Sequence, residues 1–81
     1  MNEKRTIELN RNNRNNQFFV HDTAIIDDQV IIGKGSKIWH HTHILKNSII
    51  GSNSTIGKNV MIGPEVVLGN NCKIQNNVSI Y

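Results

Sequence analysis

The sequence predicts an all-β fold, a left-handed parallel β-helix of hexapeptide repeats with a little over three coils. Three regularities of the 81-residue chain carry that expectation. Every sixth residue from Val20 is aliphatic: Val20, Ile26, Ile32, Ile38, Ile44, Ile50, Ile56, Ile62, Leu68, Ile74 and Ile80. Val, Ile and Leu fill only 22 of the 81 positions; random placement gives such a run in some phase roughly a few times in a million, so the period is a property of the fold. Four places after each anchor stands a small or β-branched residue: Ala24, Val30, Ser36, Thr42, Ser48, Ser54, Val60, Val66, Cys72 and Val78. Five of the six glycines (Gly33, Gly51, Gly57, Gly63 and Gly69) directly follow an anchor.

A period of six excludes the alternatives. An amphipathic helix repeats its apolar residues at spacings of three and four, and a long half-buried strand alternates strictly. A sandwich needs longer strands and irregular turns. A short strand, a corner and another short strand fit the hexad, and three sides close a triangular coil. Each anchor then points into the prism, and the small residue sits near a corner where the interior is narrow. Glycine suits a corner that needs unusual φ/ψ or close backbone approach. Asn53, Asn59, Asn70 and Asn71 suit corners because Asn tolerates left-handed backbone.

Stacked coils pair as parallel strands, and the last leaves an open edge near Tyr81. Solenoids normally end in a cap, but the repeat stops in mid-hexad. The expectation is a fragment of a longer protein, or an edge covered by a partner. Residues 18–81 form the β-helix, with Phe18 and Phe19 plugging its open top. Residues 1–17 read as a flexible polar leader: six of them are Asn, and 10–17 hold no apolar residue.

Charge and composition narrow the function. The net charge of +3 is concentrated in the leader, which carries Lys4, Arg5, Arg11 and Arg14 against Glu3 and Glu8. The repeat region lacks the clustered Lys/Arg with interleaved aromatics that a nucleic-acid partner requires. No apolar run is long enough to span a bilayer, and residues 1–17 have no apolar signal-peptide core. Cys72 is the single cysteine, which rules out an intrachain disulfide and fits a reducing compartment. A cytoplasmic location is expected. Cys72 falls in the inward small-residue phase and reads as core filler rather than nucleophile. Two glycosylation sequons, at Asn53 and Asn77, are accidental without a secretory signal.

If a coil takes 18 residues, positions 18 apart stack into columns. One column holds His21, Trp39, Gly57 and Gln75. The next holds Asp22, His40, Lys58 and Asn76, a third Thr23, His41, Asn59 and Asn77, and another Ile25, His43, Met61 and Ser79. All four histidines and the one Trp thus lie on or beside one side of the prism. This polar side is the candidate functional face. Asp22 stands beside His40 in this register, positioned to orient its ring.

Two readings of His40, His41 and His43 stand side by side. The rings either hydrogen-bond to neighbouring coils as a polar strand face, or take a proton from an amine and hold a ligand. Zinc fits poorly, because no Cys or carboxylate lies close in sequence to complete a tetrahedral set, and no metal is expected. Trp39 packs on a neighbouring chain or stacks on a ligand.

Three strings carry a family resemblance: Phe19 to Asp27, Ile32 to His40 with His43-Ile44, and Lys73-Ile74-Gln75-Asn76-Asn77-Val78-Ser79-Ile80-Tyr81. Together they resemble the hexapeptide-repeat N-acetyltransferases of nucleotide-linked 3-amino sugars, such as UDP-2-acetamido-3-amino-2,3-dideoxyglucuronate N-acetyltransferase, over its N-terminal portion. The resemblance spans residues 18–81. It implies a homotrimer, acetyl-CoA as co-substrate bound between neighbouring prisms, a nucleotide-sugar substrate, and direct attack of the sugar amine on the thioester without an acyl-enzyme. By this analogy His40, His43 and Asn76 are the catalytic candidates, and Trp39, His41, Gln75 and Asn77 the binding candidates. Proteins of that family continue for several more coils, and the leader departs from their pattern. Two other readings compete: a non-catalytic assembly module pairing through its open edge, and a metal-dependent enzyme similar to the carbonic-anhydrase-like hexapeptide proteins.

Overall fold

The computed structural model describes residues 17–81, so the leader lies outside the described residues except for Gln17. Eleven strands of two residues recur every six residues. They are β1 (Phe19–Val20), β2 (Ile25–Ile26), β3 (Ile31–Ile32), β4 (Lys37–Ile38), β5 (His43–Ile44), β6 (Ile49–Ile50), β7 (Thr55–Ile56), β8 (Met61–Ile62), β9 (Val67–Leu68), β10 (Lys73–Ile74) and β11 (Ser79–Ile80). Three parallel sheets run β1-β4-β7-β10, β2-β5-β8-β11 and β3-β6-β9. Partners are 18 residues apart, as in Phe19 with Lys37 and Lys37 with Thr55. Three hexads therefore make one coil, and the sheets form the three sides of the predicted left-handed prism.

The anchors build the core. Ile38, Ile44, Ile56 and Ile62 are wholly buried, with Ile26, Ile50 and Val60 nearly so. Val20, Ile32, Leu68, Ile74 and Ile80 pack against them but are only half-buried, because the first and last coils have a neighbour on one side only. Each fully buried aliphatic side chain contributes about 1.5–3 kcal/mol.

The corners follow one backbone rule. Residues with positive φ recur every six positions: Gln29, Gly35, His41, Asn47, Asn53, Asn59, Glu65, Asn71 and Asn77. At most of them the amide N–H donates to a carbonyl of the preceding coil, as Asn59 to His40 (2.8 Å), Asn71 to Ser52 (2.8 Å) and Asn77 to Lys58 (2.9 Å). Asn is enriched there because it enters the left-handed region at little cost. Asn70 is the exception to the expectation. It is not among the positive-φ residues, and its side-chain oxygen accepts from the Ser52 N–H at 2.8 Å.

Close approach, rather than φ, explains Gly33 and Gly51 in the glycine phase. A Cβ at Gly33 would lie 2.6 Å from the Ser52 nitrogen, and one at Gly51 would lie 2.5 Å from the Gly69 carbonyl. Within this phase only Gly63 has positive φ. Gly35, the glycine outside it, occupies a left-handed corner instead.

The inward small residues do more than fit. Ser36 Oγ donates to the Gly51 carbonyl (2.6 Å) and accepts from Ser54 N–H (2.9 Å). Thr42 Oγ1 donates to the Gly57 carbonyl (2.7 Å) and accepts from Val60 N–H (3.2 Å). Ser54 repeats the pattern with Gly69 and Cys72 (3.1 Å each). Buried hydroxyls thereby satisfy buried backbone groups at the corners, which are costly to leave unpaired.

The two aromatic residues expected to plug the prism differ in burial. Phe18 is half-buried in the small-residue phase, whereas Phe19 lies on the outer face of β1, 42% exposed. Side chains alternate along a strand, and Val20 already takes the inward position.

Gly51→Ala is expected to destabilise the chain by about 1–3 kcal/mol through overpacking against the next coil. Gly69→Ala, where a Cβ meets nothing within 4 Å, is expected to be near neutral. Urea unfolding of the two variants tests the difference.

Candidate functional site

The corner between the first and second sheets gathers the aromatic and imidazole groups. It is formed by residues 21–24, 39–42, 57–60 and 75–78, one set per coil. Phe19 and Trp39 pack with ring centroids 5.1 Å apart, and Trp39 lies nearly parallel to His40 at 6.1 Å. His40 in turn lies 3.7 Å from the His21 ring, tilted by 33°. His41 approaches His40 to 6.4 Å. His41, with φ of 56°, is one of the left-handed corner residues, which turns its exposed side chain away from the core.

His21 is held by its own turn. Thr23 N–H donates to His21 Nδ1 at 3.1 Å, which leaves the ring hydrogen of the neutral form on Nε2. The Thr23 hydroxyl lies 3.0 Å from the same nitrogen and accepts from His41 N–H at 2.8 Å, linking the two coils.

His40 has a different environment. Its Nδ1 is covered and finds no hydrogen-bond partner among the described residues. Desolvation, followed by the neighbouring charges of His21, Lys58 and His41, pushes its pKa below the ordinary 6.5. The neutral imidazole is therefore the form present at neutral pH, which is the form able to accept a proton.

The carboxylate that reaches a histidine is Asp27, not Asp22. His43 Nε2 lies 2.9 Å from Asp27 Oδ1, with both side chains partly exposed. Asp22 is exposed and His40 packs on His21 instead. The straight-column expectation gives way here to a diagonal contact, because Asp27 stands two residues beyond Ile25, the strand partner of His43.

Gln75, Asn76 and Asn77 occupy the last coil of this side and are exposed. Asn76 Oδ1 accepts from the Lys58 N–H at 2.8 Å, and Asn77 Oδ1 from the Asn59 side-chain amide at 2.8 Å. These two amide oxygens thus bind the coils together, and their NH₂ groups are the ends that can meet a ligand. Trp39, His40 and His41 meet at one corner, and His43 lies round it on β5. Asn76 and Asn77 sit one coil beyond Lys58 and Asn59. Sequence reasoning placed His21 on this side but missed Phe19 and Asp27 as members of the cluster. The signal for Asp27 was its place two residues beyond Ile25, which pairs with His43.

Among the described residues, no group of three or more His, Cys, Asp or Glu is arranged to hold a metal ion. No helix among them is long and apolar enough to cross a membrane.

Comparison with known proteins gives one family match. Residues 47–81 match the family described as bacterial transferase hexapeptide (six repeats). No curated protein sequence matches the chain. Among solved structures, the chain is similar to a variant perosamine N-acetyltransferase from Caulobacter crescentus in complex with CoA and GDP-perosamine. The identity is 16% and the TM-score 0.42, with 96% of this chain and 50% of that chain covered. This chain therefore spans half the length of that enzyme.

In an NMR titration, His40 is expected to protonate below 6.5, and Lys58→Gln to raise the midpoint. The unfolded chain binds this proton more readily than the folded one, so stability rises with pH. The contribution is complete above the unfolded value and is lost as pH falls through 6.5 toward the lower folded value. His40→Gln should shrink that acid loss in pH-dependent urea melts.

Proposed function

We infer that the chain belongs to an acetyl-CoA-dependent N-acetyltransferase acting on the amine of a nucleotide-linked amino sugar. The observation that carries this reading is the gathering of Trp39, His40, His41 and His43 on one side of a hexapeptide prism, with Gln75, Asn76 and Asn77 in the same columns. The match of residues 47–81 to a transferase repeat family supports it, as does the resemblance of the three sequence strings.

In this reading the amine lone pair attacks the thioester carbonyl, the C–S bond breaks and CoA leaves as the thiol. His40 or His43 accepts the amine proton, and the Asn76 NH₂ donates to the developing oxyanion. Trp39 offers a stacking surface, and His41, Gln75 and Asn77 contact the nucleotide sugar. No metal takes part, and the protein works in the cytoplasm. Three copies associate, with acetyl-CoA between neighbouring prisms. Ile31, Ile49 and Val67 form an exposed apolar column on the third sheet, 38–69% accessible, which suits such packing.

A second reading, a non-catalytic assembly module, draws on the same apolar column and on the use of Asn76 and Asn77 as ties between coils.

Release of free thiol from acetyl-CoA, with a nucleotide 3-amino sugar as acceptor, distinguishes the two. The transferase reading expects turnover that falls on the order of 100-fold in His40→Ala or Asn76→Ala. Folded protein without turnover and without affinity for CoA supports the module instead. Light scattering is expected to give a trimer that Val67→Lys converts toward monomer.

A further inference from the structure

Sheet two carries one imidazole in an apolar column. The residues paired with His43 on either side are Ile25 on β2 and Met61 on β8. Neither can hold the ring by a hydrogen bond, since one is a hydrocarbon and the other a weak thioether acceptor. What holds it is Asp27, reaching diagonally from just beyond β2, with Oδ1 2.9 Å from Nε2. This is the only polar contact of the ring among the described residues. Both side chains keep partial exposure, 40% for His43 and 35% for Asp27, so the pair is open to a ligand arriving on the outer face.

We propose that Asp27 is a positioning residue for His43. By accepting the Nε2 hydrogen it selects the tautomer whose free lone pair is on Nδ1, and aims that lone pair at the acceptor amine. The role rests on the acetyl-transfer reading above. The amine forms its new N–C bond to the thioester carbonyl and gives up one proton to His43 Nδ1. The C–S bond breaks, the sulfur leaves as thiolate, and the imidazolium returns that proton to sulfur. Amide and free thiol result, and His43 is restored. The Asp27 carboxylate keeps its charge throughout and stabilises the imidazolium between the two transfers. An acid–base histidine oriented by a carboxylate on its second nitrogen is a general arrangement for such proton relays.

The pair divides the polar side into two stations. His40 is packed on His21 and faces Lys58 and His41. His43 alone has a carboxylate partner among the described residues. A proton held on His43 therefore has a carboxylate beside it.

The test uses the full chain and its Asp27→Ala, Asp27→Asn and His43→Gln variants, each first shown to retain the native circular dichroism and thermal unfolding. Long-range proton–nitrogen NMR spectra should show neutral His43 as the Nε2–H tautomer in the wild type and a mixed tautomer in Asp27→Ala. In the thiol-release assay, Asp27→Ala should lose roughly 10-fold or more in kcat, part of the ~10²-fold that a positioned base contributes, with KM nearly unchanged. Wild-type kcat and an unchanged Nε2–H tautomer in Asp27→Ala would overturn the role of Asp27 while leaving the transferase reading intact. A folded wild type that shows the Nε2–H tautomer but releases no thiol would overturn the transferase reading itself, and with it the proton relay.

Discussion

A two-residue strand has no independent stability. Each of the eleven strands here exists because the strands 18 residues before or after it supply its hydrogen bonds. The coil-to-coil register is therefore the constraint on which everything else depends. A slip of one residue would turn every anchor isoleucine outward and bring its polar neighbour into the prism. The uninterrupted hexad from Val20 to Ile80 is the sequence expression of that constraint. It also makes the outer surface a lattice, in which any side chain has a known neighbour one coil away.

The corners make the register possible. A left-handed residue turns its N–H along the prism axis toward the preceding coil, while a glycine two places earlier lets the next backbone come close. Buried Ser and Thr hydroxyls then close the remaining backbone bonds. These three devices occupy different phases of the hexad, so each can be met by its own residue type. The candidate site shares this framework. His41 is both a corner residue and a member of the imidazole cluster, and Asn76 and Asn77 tie coils together with one end of their amides. Position and chemistry are thus coupled: the groups that would meet a substrate are held by the same bonds that hold the prism.

The histidines illustrate how environment separates residues of one type. His21 is tied to its own turn through Thr23, His40 is packed between rings with one nitrogen covered, and His43 is paired with a carboxylate across strands. A neutral imidazole beside Lys58 and other imidazoles differs from an imidazole beside a carboxylate in what it can do with a proton. Both lie on one side of the prism, round a single corner.

The hexad by itself determined the fold, the inward anchors, the 18-residue columns and the side on which the polar residues gather. Periodicity reports directly on which residues share a face, because a solenoid contacts only its neighbours in sequence-ordered coils. Tertiary structure alone decided the lateral contacts. The sequence columns put Asp22 beside His40, but the ring stacks on His21, and the carboxylate that meets a histidine is Asp27, against His43. It also turned Phe19 outward onto Trp39 and gave Gly33 and Gly51 a steric reason and Gly35 and Gly63 a conformational one. The physical cause is common to all of these. Register fixes where each Cα stands, whereas side-chain reach, χ angles and the space left by the adjacent coil fix what each residue touches.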